Sequence, residues 1–346
     1  MSSTLPKLSY VLLSHNREKY IRAAIESAFA QDYEGELEYI FSDDCSTDRT
    51  FEIINECVAE YKGNRRVVVT QTPRNLHLAG NTNHAVQFVE SDWVIRADDD
   101  DISHVSRCSM IGEAIAQYPS ASSVFARFRV FYDREEEEIR VLSQNLKREH
   151  PTSRILSIND TETIISLFNL PDCLHQAWSV NCYRNAIFGK LPVDGYYVDD
   201  VITNFRALAL GDCIEIDAEC AYIRRLSGNM SCAGDKGQKN YASIIALEKF
   251  NDKYHNNIHA PLQKTRAALA TYIENTNIDG SKILECIDSL IRDNEILKDY
   301  WKRGTLYRIQ VNRHFGRKGV FAWMRCLPMP IFAFMLFLYR LMTNKV

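Results

Sequence analysis

Four consecutive aspartates, Asp98 to Asp101, carry the most specific chemistry in this sequence. They follow a predicted buried strand, Trp93 to Ala97, so the pattern places four carboxylates at the end of that strand. Carboxylates this close together repel one another unless a cation lies among them. Mg²⁺ or Mn²⁺ would suit, because such ions take few protein carboxylates and share their other positions with substrate phosphates. The alternative is a solvated acidic turn that begins the next helix.

Polar side chains also follow two other predicted strands. The apolar run Leu8 to Leu13 ends in Ser14-His15-Asn16, and Leu37 to Phe41 leads to Asp43-Asp44. Helical segments separate these strands, which indicates βαβ units, a mostly parallel sheet and an α/β fold of the Rossmann-like kind. Ligands of such sheets bind beyond the carboxyl ends of the strands. We therefore expect the three polar strand ends to meet in one site.

Local patterns predict the elements between these strands. Ser46 or Thr47 is expected to cap the helix whose core face includes Ile53 and Cys57. The acidic run Glu135 to Glu138 is expected to form a solvated turn or hairpin tip. The remaining predictions are a helix from Tyr20 to Phe29, a strand from Val67 to Thr70 and a helix from about Ala79 to Val89.

Composition separates the chain into two regions. The 346 residues include 46% hydrophobic and 25% charged residues, which excludes a disordered or fibrous chain. A boundary near residues 232–238 predicts an α/β domain over 1–232 and a helical region over 233–346. Ten cysteines without a CxxC pair predict reduced thiols. The first residues lack the apolar segment of a signal peptide, so we expect a cytoplasmic protein.

The order of the polar motifs resembles that of the inverting glycosyltransferases of family 2, which have the GT-A fold. Ser14-His15-Asn16 is similar to their Thr/Ser-x-Asn triplet, and Asp43 to Asp48 is similar to their Asp-Asp-x-Ser-Thr-Asp. Asp98-Asp99-Asp100 corresponds to their DxD motif, whereas Cys45 stands where they commonly have glycine. Asn75 to Ala79 follows their next loop without its glycine, and Leu226 replaces a late histidine. The resemblance covers about residues 7–232.

The resemblance implies a nucleotide-sugar site, with a UDP-sugar as the expected donor. Asp44 would accept the N–H of the base, Asp98 would reach the ribose hydroxyls, and Asp100 with Asp98 would bind Mn²⁺ or Mg²⁺ at the diphosphate. Ser14 and Asn16 would line the nucleoside pocket. Further donor-binding residues are expected at His15, Arg74, Asn83 and Asp99.

The resemblance also implies a catalytic base. An inverting transfer needs one general base for the acceptor hydroxyl, and Asp200, in the acidic pair Asp199-Asp200 before a predicted helix, is the expected one. A helix cap is the alternative role of this pair, and the two roles are compatible. His175 and Trp178, with Asp199, are candidates for the acceptor side, although a core position is an equal alternative for the tryptophan.

The C-terminal region predicts contact with an anionic surface. Residues 301–346 contain nine Lys or Arg and no Asp or Glu, although the whole chain has a formal net charge of −4. The apolar stretch Ile331 to Leu338 follows several of these basic residues. This combination is typical of a peripheral membrane anchor, here at the inner face of the cytoplasmic membrane. A helix packed on the body or on a second copy is the alternative, and nucleic acid is not an expected partner.

Together these patterns predict a metal-dependent inverting glycosyltransferase that acts on a glycan or lipid-linked glycan acceptor in surface polysaccharide synthesis. A catalytically silent GT-A scaffold subunit and a nucleotidyltransferase are the alternatives. A nucleotidyltransferase would also have such a sheet and an acidic metal site. It normally carries a glycine-rich basic loop, which this sequence lacks. The apolar stripe from Ile283 to Trp301 could pair two copies of the chain.

Overall fold

The computed structural model describes residues 4–145, 151–156, 180–188 and 199–224, with single positions between 266 and 288. Within this part of the chain, the strands are β1 (Leu8–Ser14), β2 (Leu37–Asp43), β3 (Val67–Gln71), β4 (Trp93–Asp98), β5 (Ile102–Ser103), β6 (Ser123–Phe131), β7 (Ser153–Leu156), β8 (Cys182–Arg184) and β9 (Cys213–Arg224). The helices are α1 (Ile21–Phe29), α2 (Thr50–Glu60), α3 (His77–Ala85), α4 (Arg107–Gln117), α5 (Glu136–Ser143) and α6 (Asp199–Leu210). Single 3₁₀ turns cover Val86–Phe88, Asp133–Glu135 and Asn185–Phe188.

All of these strands belong to one mixed sheet. Its order is β3-β2-β1-β4-β8-β6-β9-β5, and β7 pairs with β9 outside this path. The β3-β2-β1-β4 half is parallel, β8 is antiparallel to both β4 and β6, and β6 runs parallel to β9. Helices connect the parallel strands, so the predicted α/β class is confirmed.

The central strand β1 is buried along its whole length. All seven of its residues are buried, which is typical of a parallel strand covered on both faces. Helix α1 turns its buried residues, among them Ile21, Ala24 and Ala28, towards this core. Ser14 lies opposite Asp43 of β2, and Leu13 lies opposite Asp98 of β4. The predicted alignment of the three strand ends is therefore confirmed.

Two local predictions were wrong. Helix α2 begins at Thr50, so neither Ser46 nor Thr47 caps it, and the Asp48 carboxylate accepts the Thr50 N–H at 2.9 Å instead. The acidic run Glu135 to Glu138 is not a hairpin tip, because it ends a 3₁₀ turn and begins helix α5. Acidic residues favour the positive end of a helix dipole, which explains the difference.

The chain divides into two compact units, one of residues 1–157 and 174–225 and the other of residues 158–173 and 226–346. The first contains the whole sheet. The predicted domain boundary near residue 232, the apolar stripe and the basic tail fall outside the described residues. No helix in the described ranges is long and apolar enough to cross a membrane.

Candidate active site

Asp44 connects the end of β2 to the loop that precedes helix α3. Its carboxylate is 3% exposed, and its Oδ1 accepts hydrogen bonds from Thr72 Oγ1 and from the Leu76 N–H, both at 2.8 Å. Its own N–H donates to the Ser14 carbonyl at 2.8 Å, which fixes it against β1. Both of these hydrogen bonds engage the same oxygen, Oδ1. The side chain predicted to receive the base is thus held rigidly by the protein.

The hydroxyl of Ser14 contacts β2. It lies 3.3 Å from Asp43 Oδ1 and 3.5 Å from the Ser42 carbonyl, and the residue is 3% exposed. Asp43 also accepts bonds from the Ser46 N–H at 2.9 Å and from Gln71 at 2.8 Å. Ser14 therefore connects the ends of β1 and β2. Its expected place in a nucleoside pocket stays a prediction.

His15 joins three loops through its imidazole ring. Nδ1 lies 2.8 Å from the Asp44 carbonyl oxygen, which can only accept, so Nδ1 carries the hydrogen. Nε2 then accepts from the side-chain amides of Asn16 at 3.1 Å and Asn75 at 3.0 Å. Both amides are oriented by backbone donors, since Asn16 Oδ1 accepts the Thr47 N–H at 2.8 Å and Asn75 Oδ1 accepts the His77 N–H at 2.9 Å. The contacts therefore select the neutral Nδ1–H form of His15.

Three residues of these loops have left-handed backbone conformations. The φ angles are 53° at Asn16, 54° at Cys45 and 60° at His77. Asparagine adopts this conformation readily, whereas cysteine and histidine do so less often. Glycine would be unstrained at Cys45, which accounts physically for the glycine that stands there in the resembling family. Strained positions of this kind cluster at functional sites, and here they surround the predicted donor pocket.

Two arginines form ion pairs with three of the four aspartates, and a third arginine binds the same loop by hydrogen bonds. Arg17 Nε lies 3.7 Å from Asp99 Oδ1 and 3.6 Å from Asp100 Oδ2, and the buried Arg96 pairs with Asp98 at 2.6 Å. The Arg224 N–H donates to Asp101 Oδ1 and its Nε donates to the Asp100 carbonyl, both at 2.9 Å. A further bond runs from the His15 N–H to Asp99 Oδ2 at 2.8 Å. Arg17 and Arg96 therefore supply part of the positive charge that the clustered aspartates require. The sequence alone did not predict these two contacts.

Burial and the repulsion of neighbouring carboxylates raise the pKa values of Asp99, Asp100 and Asp101. Burial raises the pKa of Asp100 to about 6, with the charge of Asp98 as the next cause. The pKa values of Asp99 and Asp101 are raised well above the ordinary range, first by burial and then by the charge of Asp100. The Asp98 side chain is 37% exposed and is the most accessible of the four. We call Asp98 to Asp101 the aspartate rim. Additional positive charge at this rim would therefore be stabilising.

Arg224 fixes the far side of the aspartate rim. It is fully buried, and its Nη1 donates to Asp133 at 3.0 Å and to Glu136 at 2.9 Å. Its guanidinium also lies over the rings of Tyr20 and Phe131, 4.5 Å and 4.6 Å from their centroids. Arg224 thus positions the loop that carries the aspartates.

Arg74 and Asn83 line a cavity of about 400 Å³ beside helix α3. Asn75 borders the same cavity and contacts His15, so the cavity adjoins the strand-end loops. The other residues around it are Leu76, His77, Gly80, His84 and Gln87. Two of the predicted donor-binding residues therefore share one concave surface.

The predicted acidic pair Asp199-Asp200 begins helix α6, and Gly211 follows the last residue of that helix. The predicted start of a helix at this pair is confirmed. The side chains of Asp199 and Asp200, and all of His175 and Trp178, lie outside the described residues. Their roles stay predictions.

The carboxylates of Asp98 and Asp100 suit a metal ion that is also bound by a ligand. Within the described ranges, no three His, Cys, Asp or Glu side chains are grouped so that they could hold a metal ion by themselves. Mg²⁺-type ions are commonly bound by one or two carboxylates together with substrate phosphates. Asp98 and Asp100 lie on a rim with excess buried negative charge, and they fit a metal ion that is held by two carboxylates together with substrate phosphates.

Comparisons with known proteins identify the family of this chain. Residues 9–181 match the profile described as Glycosyl transferase family 2. The putative glycosyltransferase EpsE of Bacillus subtilis is 34% identical over 102 residues, which cover 30% of this chain and 36% of the relative. The poly(ribitol-phosphate) beta-N-acetylglucosaminyltransferase TarS of Staphylococcus aureus is 33% identical over 97 residues, or 28% of this chain and 16% of TarS. The chain thus matches about a third or less of the length of these relatives.

Solved structures share the fold. S. aureus TarS 1-349 in complex with UDP-GlcNAc superposes with a TM-score of 0.51 at 16% identity, covering 88% of this chain and 92% of that one. The mannosyltransferase PcManGT of Pyrobaculum calidifontis, in complex with GDP-Man and Mn²⁺, has a TM-score of 0.51 at 14% identity, with coverages of 92% and 78%. At identities this low, the similarity establishes the fold alone. These superpositions confirm the expected GT-A fold.

Proposed function

This chain belongs to glycosyl transferase family 2, and on that premise we propose that it transfers a sugar from a nucleotide-sugar donor to a hydroxyl of a glycan or lipid-linked glycan. One observation carries the proposal. Asp44, His15 and the aspartates Asp98 to Asp100 come from three adjacent parallel strands and meet at one edge of the sheet. That edge is where ligands of such sheets bind.

The donor would lie across the strand ends. Asp44 would accept an N–H of the base, as uracil N3–H can donate. Arg74, in the loop before α3, and Asn83, on that helix, would border the nucleotide. UDP-GlcNAc in the TarS structure and GDP-Man in the PcManGT structure support a nucleoside diphosphate sugar as the donor class. A UDP-sugar is the form we propose.

Asp98 and Asp100 would hold a divalent cation, Mn²⁺ or Mg²⁺. When bound, such an ion supplies positive charge beside the diphosphate, where negative charge grows as the glycosidic bond breaks. The Mn²⁺ in the PcManGT complex supports the use of a divalent cation. Asp99 is held by the His15 N–H and would shape the rim from below.

The transfer would invert the sugar configuration. Asp200, at the first turn of α6, would take the proton of the acceptor hydroxyl as that oxygen attacks the anomeric carbon from the face opposite the diphosphate. The C–O bond to the diphosphate breaks in the same step, and the nucleoside diphosphate leaves with the electron pair. His175, Trp178 and Asp199 would contact the acceptor, and the basic tail would bring the protein to an anionic membrane surface.

A donor screen tests this function. The full chain is incubated with UDP- and GDP-sugars, with and without Mn²⁺, and both thermal stabilisation and release of nucleoside diphosphate are measured. A ligand at a hundredfold its Kd adds about 2.7 kcal/mol of stability. Binding without turnover on any glycan acceptor would favour the scaffold alternative, and release of pyrophosphate from nucleoside triphosphates would favour a nucleotidyltransferase.

A further inference from the structure

Arg17 occupies a fixed position between the end of β1 and helix α1. Its N–H donates to Thr50 Oγ1 at 2.7 Å, and its carbonyl accepts from the N–H groups of Tyr20 and Ile21 at 2.9 Å and 3.0 Å. The backbone is thus anchored at both ends. The side chain starts from this anchored point and reaches the aspartate rim.

The guanidinium of Arg17 is held at the rim by charge more than by hydrogen bonds. Its Nε is buried and has no hydrogen-bond partner among the described residues, although it lies 3.6 Å from Asp100 Oδ2 and 3.7 Å from Asp99 Oδ1. Its Nη1 donates to the Asn16 carbonyl at 3.2 Å, and the side chain is 28% exposed. Such a cation neutralises both carboxylates and can move towards solvent without breaking a direct hydrogen bond to either.

A divalent cation and Arg17 cannot both be favourable partners of Asp100 unless more negative charge is present. Like charges at contact distance repel strongly in a partly buried site. The described residues offer no group of three metal-ligating side chains that could outweigh this repulsion. A diphosphate would supply both extra ligand oxygens for the metal and an anionic partner that suits a guanidinium.

We propose that Arg17 is the resident counter-cation of the aspartate rim and competes with the divalent cation, so that metal binds tightly only together with the diphosphate of the donor. This inference rests on the proposed function and adds the coupling between its two ligands. By linkage, the nucleotide and the metal then strengthen each other's binding by the same factor.

Mn²⁺ binding to the full chain tests the proposal. Electron paramagnetic resonance measures free Mn²⁺ during titration, alone and with saturating UDP or GDP. For the wild-type chain we expect at least tenfold tighter Mn²⁺ binding with the nucleotide that binds. For Arg17→Gln we expect Mn²⁺ alone to bind at least tenfold more tightly than to wild type, so that the effect of the nucleotide shrinks. Arg17→Lys keeps the positive charge and should keep the coupling.

Arg49→Gln is the matched control, because Arg49 is an exposed arginine that pairs with Glu52 and Glu56 on α2. It should bind Mn²⁺ as the wild type does. Equal Mn²⁺ affinity of wild type and Arg17→Gln without nucleotide would overturn the inference and leave the proposed function standing. If Arg17→Gln does not fold, equal Mn²⁺ affinity of the wild type with and without nucleotide overturns it as well. No binding of UDP, GDP or their sugars under any condition would overturn the proposed function itself.

Discussion

His15 Nδ1 donates a hydrogen bond to the carbonyl oxygen of Asp44 at 2.8 Å, and this contact joins the ends of two neighbouring parallel strands. The opposite ring nitrogen, Nε2, extends the connection to Asn75 in the loop before α3. One imidazole therefore determines how three loops of the candidate donor site lie relative to one another.

We expect His15→Ala to lower the free energy of unfolding by about 1–3 kcal/mol, because it leaves the polar groups around the ring without their partner. Donor affinity should fall about tenfold, since the loops lose their common anchor. A double-mutant cycle with Asn75→Ala isolates the Nε2 contact, which should contribute about 0.5–1.5 kcal/mol of coupling. Additive effects of the two substitutions on stability would contradict the proposed bridge.

Cys45 should be more stable as glycine. Its φ of 54° is strained for a residue with a Cβ atom, and the side chain is only partly buried, so little packing is lost on substitution. We expect Cys45→Gly to raise the free energy of unfolding by about 0.5–1 kcal/mol, after the greater backbone entropy of unfolded glycine is taken into account. Cys45→Ala keeps the Cβ atom and is the matched control. Thermal melts of the two variants that coincide would show that the strain is negligible.

The buried charge of Asp100 should destabilise the metal-free protein at neutral pH. Its pKa is about 6 in the folded chain against an ordinary 3.8, so between these values the folded state holds a proton that the unfolded state releases. The penalty on folding therefore grows as pH rises above 3.8, is complete above about pH 6, and disappears as pH falls below 3.8. We expect Asp100→Asn to raise the stability of the metal-free chain by about 1–3 kcal/mol at pH 7.5.

The same comparison at pH 4 should show almost no gain, and Asp212→Asn, at an exposed aspartate, should be neutral at both pH values. Chemical denaturation at the two pH values measures the difference. Asp100→Asn should also lose metal-stimulated turnover. A variant that is less stable than wild type at pH 7.5 would show that the rim is already fully neutralised by its arginines.

Asp200→Asn separates donor binding from catalysis. If Asp200 removes the proton of the acceptor hydroxyl, the substitution should lower kcat by about 10²- to 10⁴-fold and leave donor affinity unchanged. Steady-state release of nucleoside diphosphate and a separate titration with the donor measure the two quantities. Retention of more than a third of the wild-type kcat would remove Asp200 from the role of base.

The sequence predicted the parts of this site that depend on strand position. Apolar runs such as Leu8 to Leu13 fix where a buried strand ends, and parallel pairing then aligns the polar residues that follow. The sequence did not predict that Arg17 would neutralise the aspartates. An arginine side chain is long and flexible, and its position depends on tertiary contacts such as the anchoring of the Arg17 backbone by Thr50.

The cap of α2 shows a related limit. Ser46 and Thr47 are good capping residues, but the loop after β1 engages both of them. The Ser46 hydroxyl accepts the Asn16 N–H at 2.9 Å, and the Thr47 N–H donates to the Asn16 side chain at 2.8 Å. Contacts with Asn16 therefore hold Ser46 and Thr47 away from the start of α2. The Asp48 carboxylate accepts the Thr50 N–H there instead.

The most direct test of the central claim is a crystal structure of the full chain grown with Mn²⁺ and the nucleoside diphosphate that binds, with anomalous diffraction recorded for manganese. We expect a manganese peak beside Asp100, the diphosphate against that ion, and the base within hydrogen-bonding distance of Asp44. A nucleotide bound elsewhere, or manganese absent from the aspartate rim while the nucleotide is present, would contradict it.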